Sequence, residues 1–143
     1  MKMFLLAIAA ISAIQPALNA EELLVANGFG NPVVYRVVTN GGKITASINL
    51  GVNPLDVTVT PDGKTGYATR PGVNDVAVID LATNAVSAGI ALGAMPRKMA
   101  MNAAATRLYV ATSVGVTAVD ITLQPDGSRT NSVLPAESIS LAA

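Results

Sequence analysis

Histidine, cysteine and tryptophan are absent from the 143-residue chain. Without the first two, the chain offers no structural zinc site, haem ligation, thiolate-held iron–sulfur cluster, Ser-His-Asp triad or thiol nucleophile of its own. Aromatic residues are 3% of the chain, a poor stacking platform for bases or sugars. Charge is sparse too: nine Lys and Arg balance nine Asp and Glu, for a formal net charge of zero. A neutral chain carries no electrostatic footprint for nucleic acid and no polybasic patch for anionic lipid. The length suffices for one compact domain.

What is present begins with an apolar segment. Lys2 precedes the eleven residues Phe4–Ile14, broken only by Ser12, and Gln15-Pro16 and Ala17-Leu18-Asn19-Ala20 follow. This order has the form of a secretory signal peptide, residues 1–20, cleaved after Ala20. The competing reading is a buried N-terminal helix. The run is too short to span a bilayer, which takes about 20 apolar residues. The expectation is an exported chain, periplasmic or at the cell surface or extracellular, with no integral membrane segment in its mature part. Losing Lys2 leaves eight basic against nine acidic residues. With no cysteine, the mature fold uses no disulfides even in an oxidising compartment.

The remainder repeats. Gly51-Val52-Asn53-Pro54 returns as Gly93-Ala94-Met95-Pro96, 42 residues on. Ile48-Asn49-Leu50-Gly51 returns as Ile90-Ala91-Leu92-Gly93, and Tyr67-Ala68-Thr69 as Tyr109-Val110-Ala111, at the same spacing. Val76-Ala77-Val78-Ile79-Asp80 is echoed by Val116-Thr117-Ala118-Val119-Asp120, 40 residues on. Leu24-Val25-Ala26-Asn27 stands where the Tyr67 and Tyr109 segments begin.

Within one unit, Leu55–Thr60, Gly66–Thr69, Asp75–Leu81 and Val86–Leu92 read as short strands, with turns at Pro61-Asp62-Gly63 and Ala82-Thr83-Asn84. Four strands per unit at a period near 42 indicate β-propeller blades. The expected fold class is all-β: about three four-stranded blades over 21–143, in units of roughly 23–51, 52–93 and 94–143.

Pro54, Pro61-Asp62-Gly63, Tyr67, Val76–Asp80 and Ala82-Thr83-Asn84 give this unit a pattern that resembles the YVTN family of β-propeller repeats. The resemblance covers residues 23 to about 122. The third unit departs from it: Asn102-Ala103-Ala104-Ala105 replaces the Pro-Asp-Gly turn, and Gln124–Ala136 is longer and more polar than its counterpart. The resemblance implies an exported, non-enzymatic scaffold or binding module of cell surfaces or periplasm. Related blades occur in redox-cofactor-dependent dehydrogenase subunits and sugar-lactone hydrolases, so the alternative is a propeller enzyme completed by a partner chain or missing blades.

Repetition assigns most polar residues to architecture. Asp62 and Asp126 fit turns rather than calcium loops, because no second and third acidic residues stand beside them. Asp80 and Asp120 are expected to bond nearby turn amides. Tyr67 and Tyr109 are expected to be buried between blades. Asp56 and Lys98 are equivalent, 42 residues apart, on the strand expected to be innermost in its blade. With Arg97 they are the candidate ligand-binding residues, since innermost strands line the channel of a closed ring. The bland alternative for them is a solvated wall or a structural ion pair. Arg70 lies in a loop that could form a recognition face, and Tyr35 and Phe29 fall off the repeat register. Gly28-Phe29-Gly30 precedes no helix, so it is no phosphate loop. No catalytic residue, metal ligand or cofactor is assigned.

With the leader removed, the count is eleven strands, and the innermost strand of the first unit is missing. The last strand is expected around Ile139–Leu141. Propellers close with about four to eight blades. Three blades leave apolar faces and a strand edge exposed. The expected partners are therefore further blades, from a longer chain or from self-association that completes a ring, or a protein or cell-surface partner.

Overall fold

The computed structural model describes residues 11–17, 22–28 and 30–136. Residues 1–10 and 18–20 of the expected leader, Phe29, and the strand expected at 139–141 lie outside that range. The chain is all-β, in three antiparallel sheets of four strands. The first holds β1 (Ile11–Ala17), β2 (Glu22–Asn27), β3 (Val33–Val38) and β4 (Lys43–Asn49). The second holds β5 (Val57–Val59), β6 (Thr65–Arg70), β7 (Asp75–Asp80) and β8 (Ala85–Ala91). The third holds β9 (Pro96–Met101), β10 (Arg107–Thr112), β11 (Gly115–Asp120) and β12 (Ser132–Val133). Strands follow one another across each sheet in chain order, which is the topology of propeller blades. The inner strands β1, β5 and β9 are neighbours from blade to blade.

The turns form for the reasons their residues suggest. In Pro61-Asp62-Gly63, Gly63 takes φ +68° and the Asp62 carboxylate accepts from the Lys64 amide at 3.0 Å. Pro125-Asp126-Gly127 repeats the device, with Gly127 at φ +86° and Asp126 accepting from the Ser128 amide at 2.9 Å. In the third blade Asn102 substitutes for the missing Pro-Asp-Gly: its side-chain oxygen accepts from the Thr106 and Arg107 amides at 2.9 and 2.8 Å. Asp80 and Asp120 accept from the Ala82 and Thr122 amides, at 2.8 and 2.9 Å, as expected.

Two strands differ from expectation. The innermost position of the first blade is filled by Ile11–Ala17, paired with Glu22–Asn27, so the structure has twelve strands rather than eleven. An apolar run has the same composition in a leader and in a buried inner strand, and the two readings share these residues. The outermost strand of the third blade is Ser132–Val133, earlier in the chain than expected. Gln124–Arg129 folds as a small hairpin of its own, closed by a bridge between Leu123 and Arg129, and this absorbs the extra length.

Strand alternation gives each blade two faces. The face toward the next blade, termed forward, carries Leu24, Ala26, Val34 and Ile48 in the first blade. In the second it carries Tyr67, Thr69, Val76 and Ile90. The first set packs into one core with Val57, Ala68, Ala77, Ile79 and Leu81 from the backward face of blade two. Tyr67, Val76, Val78 and Ile90 pack into a second core with Leu108, Val110, Val119 and Ile121 of blade three. The hydrophobic core is therefore two seams between three blades.

Gly89 on β8 is required by what lies over it. A Cβ there would collide with the Asp75 carboxylate and come within 2.5 Å of an Arg70 Nη atom. Gly89→Ala must displace that pair, and a thermal melt should show a loss of about 1–3 kcal/mol. An unchanged melt would mean the pair is free to move aside.

Candidate functional site at the inner strands

Asp56 immediately precedes the inner strand β5, and the fold turns it toward blade three. Its side chain is 11% exposed. One carboxylate oxygen accepts from the Met99 amide of β9 at 2.8 Å, and the other lies 3.6 Å from Lys98 Nζ. The Thr69 hydroxyl completes the junction: it accepts from the Asp56 amide at 2.9 Å and donates to the Arg97 carbonyl at 3.0 Å. Asp56, Arg97 and Lys98 are thus brought together across the seam between blades two and three. Asp56 is buried and bonded to backbone, whereas Arg97 and Lys98 are exposed on β9. The arrangement is a strut with a cationic outer surface.

Asp56→Ala removes the acceptor for Met99 N–H inside the seam, so denaturant unfolding should show a loss of about 1–3 kcal/mol. Lys98→Ala should change stability by no more than about 0.5 kcal/mol, because its ammonium is largely solvated. Equal effects would assign the strength of the junction to the ion pair instead.

Three arginines missed or misplaced by sequence reasoning also serve the architecture. Arg70 is held by Asp75, with Nε to Oδ1 at 2.7 Å and Nη2 to Oδ2 at 2.5 Å. Its Nη1 donates to the Leu50 carbonyl at 2.9 Å, tying blade two to the segment entering it. It is consumed inside the structure and presents no recognition face. Arg36, on the forward face of blade one, donates to the Leu81 carbonyl at 2.8 Å and to Asn84 Oδ1 at 2.9 Å, and pairs with Glu22 at 2.5 Å. Arg129 reaches back from blade three to Asp62 at 2.9 Å, and donates to the Ala105 and Ile121 carbonyls at 3.1 and 2.9 Å. These partners lie far apart in sequence, so no local spacing signals them.

The shifted acids and phenol follow from the same contacts. Burial pushes the Asp62 carboxyl up, but the Thr60 hydroxyl, the Lys64 amide and Arg129 outweigh it and hold the group below its ordinary 3.8. The hydroxyl and amide of Thr122 lower Asp120, and those of Ser128 lower Asp126. Burial drives the Tyr67 phenol far above its ordinary value, and its hydroxyl donates to Asn131 Oδ1 at 2.8 Å. Off the repeat register, Tyr35 is half-buried and accepts from the Asn31 amide nitrogen at 2.7 Å. None of these groups adjoins a second acid or base in an acid–base arrangement. Among the described residues, no three Asp or Glu side chains gather where they could hold a metal ion. No helix among them is long and apolar enough to cross a membrane.

The fold and these seams define the class: a partial β-propeller. Among solved structures, the chain is similar to hydrazine synthase of Kuenenia stuttgartiensis, with a TM-score of 0.71 and 21% identity over 85% of this chain. It spans 35% of the length of that chain. At this identity the likeness shows the propeller fold alone. No family pattern matches the sequence, and no curated protein does.

Proposed function

We propose that the chain is an exported, non-enzymatic β-propeller scaffold or binding module of the YVTN type, whose ring is completed by blades beyond the three seen here. The observation that supports this reading is where the polar side chains go. Asp56, Asp62, Asp75, Arg36, Arg70 and Arg129 are each bonded within or between blades rather than gathered at a common point. A chain that commits its charges to its own seams presents its loops and inner strands for partners. The exposed Arg97 and Lys98 at the inner strand are the cationic contacts of that surface.

The test is expression of the full chain in a bacterium, with cell fractionation, N-terminal sequencing and metal analysis of the purified product. The expected product is outside the cytoplasm, begins at Glu21 and carries no stoichiometric metal. A cytoplasmic chain that keeps its first twenty residues would overturn the export part. Stoichiometric metal would overturn the non-enzymatic part.

A further inference from the structure

The repeat places equivalent residues on equivalent faces, yet burial does not repeat. Leu24, Tyr67 and Tyr109 hold one forward-face position, each opposite the matching residue of the next strand. Val34, Val76 and Val116 hold another. The first two of each set are fully buried, but Tyr109 is 41% and Val116 52% exposed. Blades one and two are covered by their successors. The forward face of blade three has no cover among the described residues. At the other end, the backward face of blade one shows Leu23, Val25, Tyr35 and Val37, all half-buried.

We infer that a second copy of this chain supplies the cover, its blade one docking head-to-tail on blade three. The inference rests on the scaffold reading and names the source of the missing blades. Three observations favour a second copy. The two open faces are the two halves of a seam that this chain already builds twice internally. Their sizes also match. In the first seam, large Leu24, Val34 and Ile48 meet small Gly66, Ala68 and Ala77, and a Cβ on Gly66 would press within 3.0 Å of Leu24. At the open ends the small residues are Ala111 and Ala118 of blade three, and the large ones are Leu23, Tyr35 and Val37 of blade one. Finally, two copies of three blades make six, inside the range of about four to eight at which propellers close. A two-fold axis then makes both contacts at once and leaves no open face.

The forward face of blade three also lacks the polar attachments used inside the chain. Lys98 replaces Asp56, Ala104 replaces Asp62 and Ala111 replaces Thr69. The intermolecular seam is therefore apolar, and its strength depends on close packing.

The experiment is light scattering on a sizing column with the full chain across a concentration series, on wild type and four variants. Tyr109→Arg and Val116→Arg alter blade three, and Val25→Arg and Val37→Arg alter blade one. Each sample is checked for a cooperative melt, and two variants per face keep the test valid if one does not fold. Wild type should run at twice the 14.5 kDa chain mass, and every folded variant should weaken pairing at least tenfold. A single-chain mass for wild type at all concentrations would overturn the inference, and so would pairing that survives the blade-one variants while blade-three variants abolish it. A single-chain result leaves the scaffold reading intact. Bound metal would remove that reading without touching the mass result.

Discussion

Tyr67→Ala should lose about 3–5 kcal/mol of folding stability, measured by denaturant unfolding. The same change at Tyr109, at protein concentrations where the chain is single, should lose no more than about 1 kcal/mol. The two tyrosines occupy one repeat position and share their sequence context. They differ in what lies over them. Tyr67 is fully buried in the core it forms with Leu108, Val110, Val119 and Ile121, while Tyr109 is 41% exposed. Truncating Tyr67 opens a cavity in the seam and also strips Asn131 of its hydroxyl donor. Tyr67→Phe separates the two effects: it should cost only the hydrogen bond, about 1 kcal/mol. Comparable losses at Tyr67 and Tyr109 would mean that blade three is covered in the single chain.

Arg129→Ala is the second large effect, expected at about 3–5 kcal/mol. The Arg129 side chain is 5% exposed and holds three acceptors: the Asp62 carboxylate and the Ala105 and Ile121 carbonyls. Its Nε is buried without a partner, which offsets part of the gain. Removing the guanidinium leaves two carbonyls and a carboxylate unpaired along the seam between blades two and three. Arg129→Lys should recover less than half of the loss, because an ammonium cannot reproduce the planar fork that reaches these acceptors.

The same contact predicts a pH dependence. The folded-state pKa of Asp62 is depressed below its ordinary 3.8, so its contribution is fully present above that value and is lost as pH falls through the folded value. Acid unfolding of wild type should therefore steepen below pH 3.8. Arg129→Ala should move the acid transition upward, and an acid transition unaffected by the substitution would dissociate Asp62 from Arg129.

Fold class and blade pattern were legible because repeated turns are local. Pro61-Asp62-Gly63 fixes its own geometry, and Asp80 and Asp120 bond amides two residues away. The seams were legible only in outline. Alternation shows which residues share a face, but it does not say whether a neighbour covers that face, so Tyr67 and Tyr109 carried the same expectation. Ile11–Ala17 was ambiguous because an apolar run suits both export and a buried inner strand. At the candidate site, the 42-residue spacing correctly aligned Asp56 with Lys98. It could not show that Asp56 reaches the Met99 amide, nor that Thr69 links the same two blades. Arg36 and Arg129 had no local signature, since Arg129 meets an aspartate 67 residues away.

The most direct test of the seam account is a methyl-labelled nuclear Overhauser spectrum of the intact chain. It should connect the Tyr67 ring to methyl groups of Leu108, Val110 and Val119, and the Leu24 methyls to Ile79, with no cross-peaks between the Tyr67 ring and the methyls of Leu24 or Val34. Cross-peaks from Tyr67 to blade-one methyls, or none to blade three, would contradict a chain-order stack in which each forward face packs on the blade that follows it.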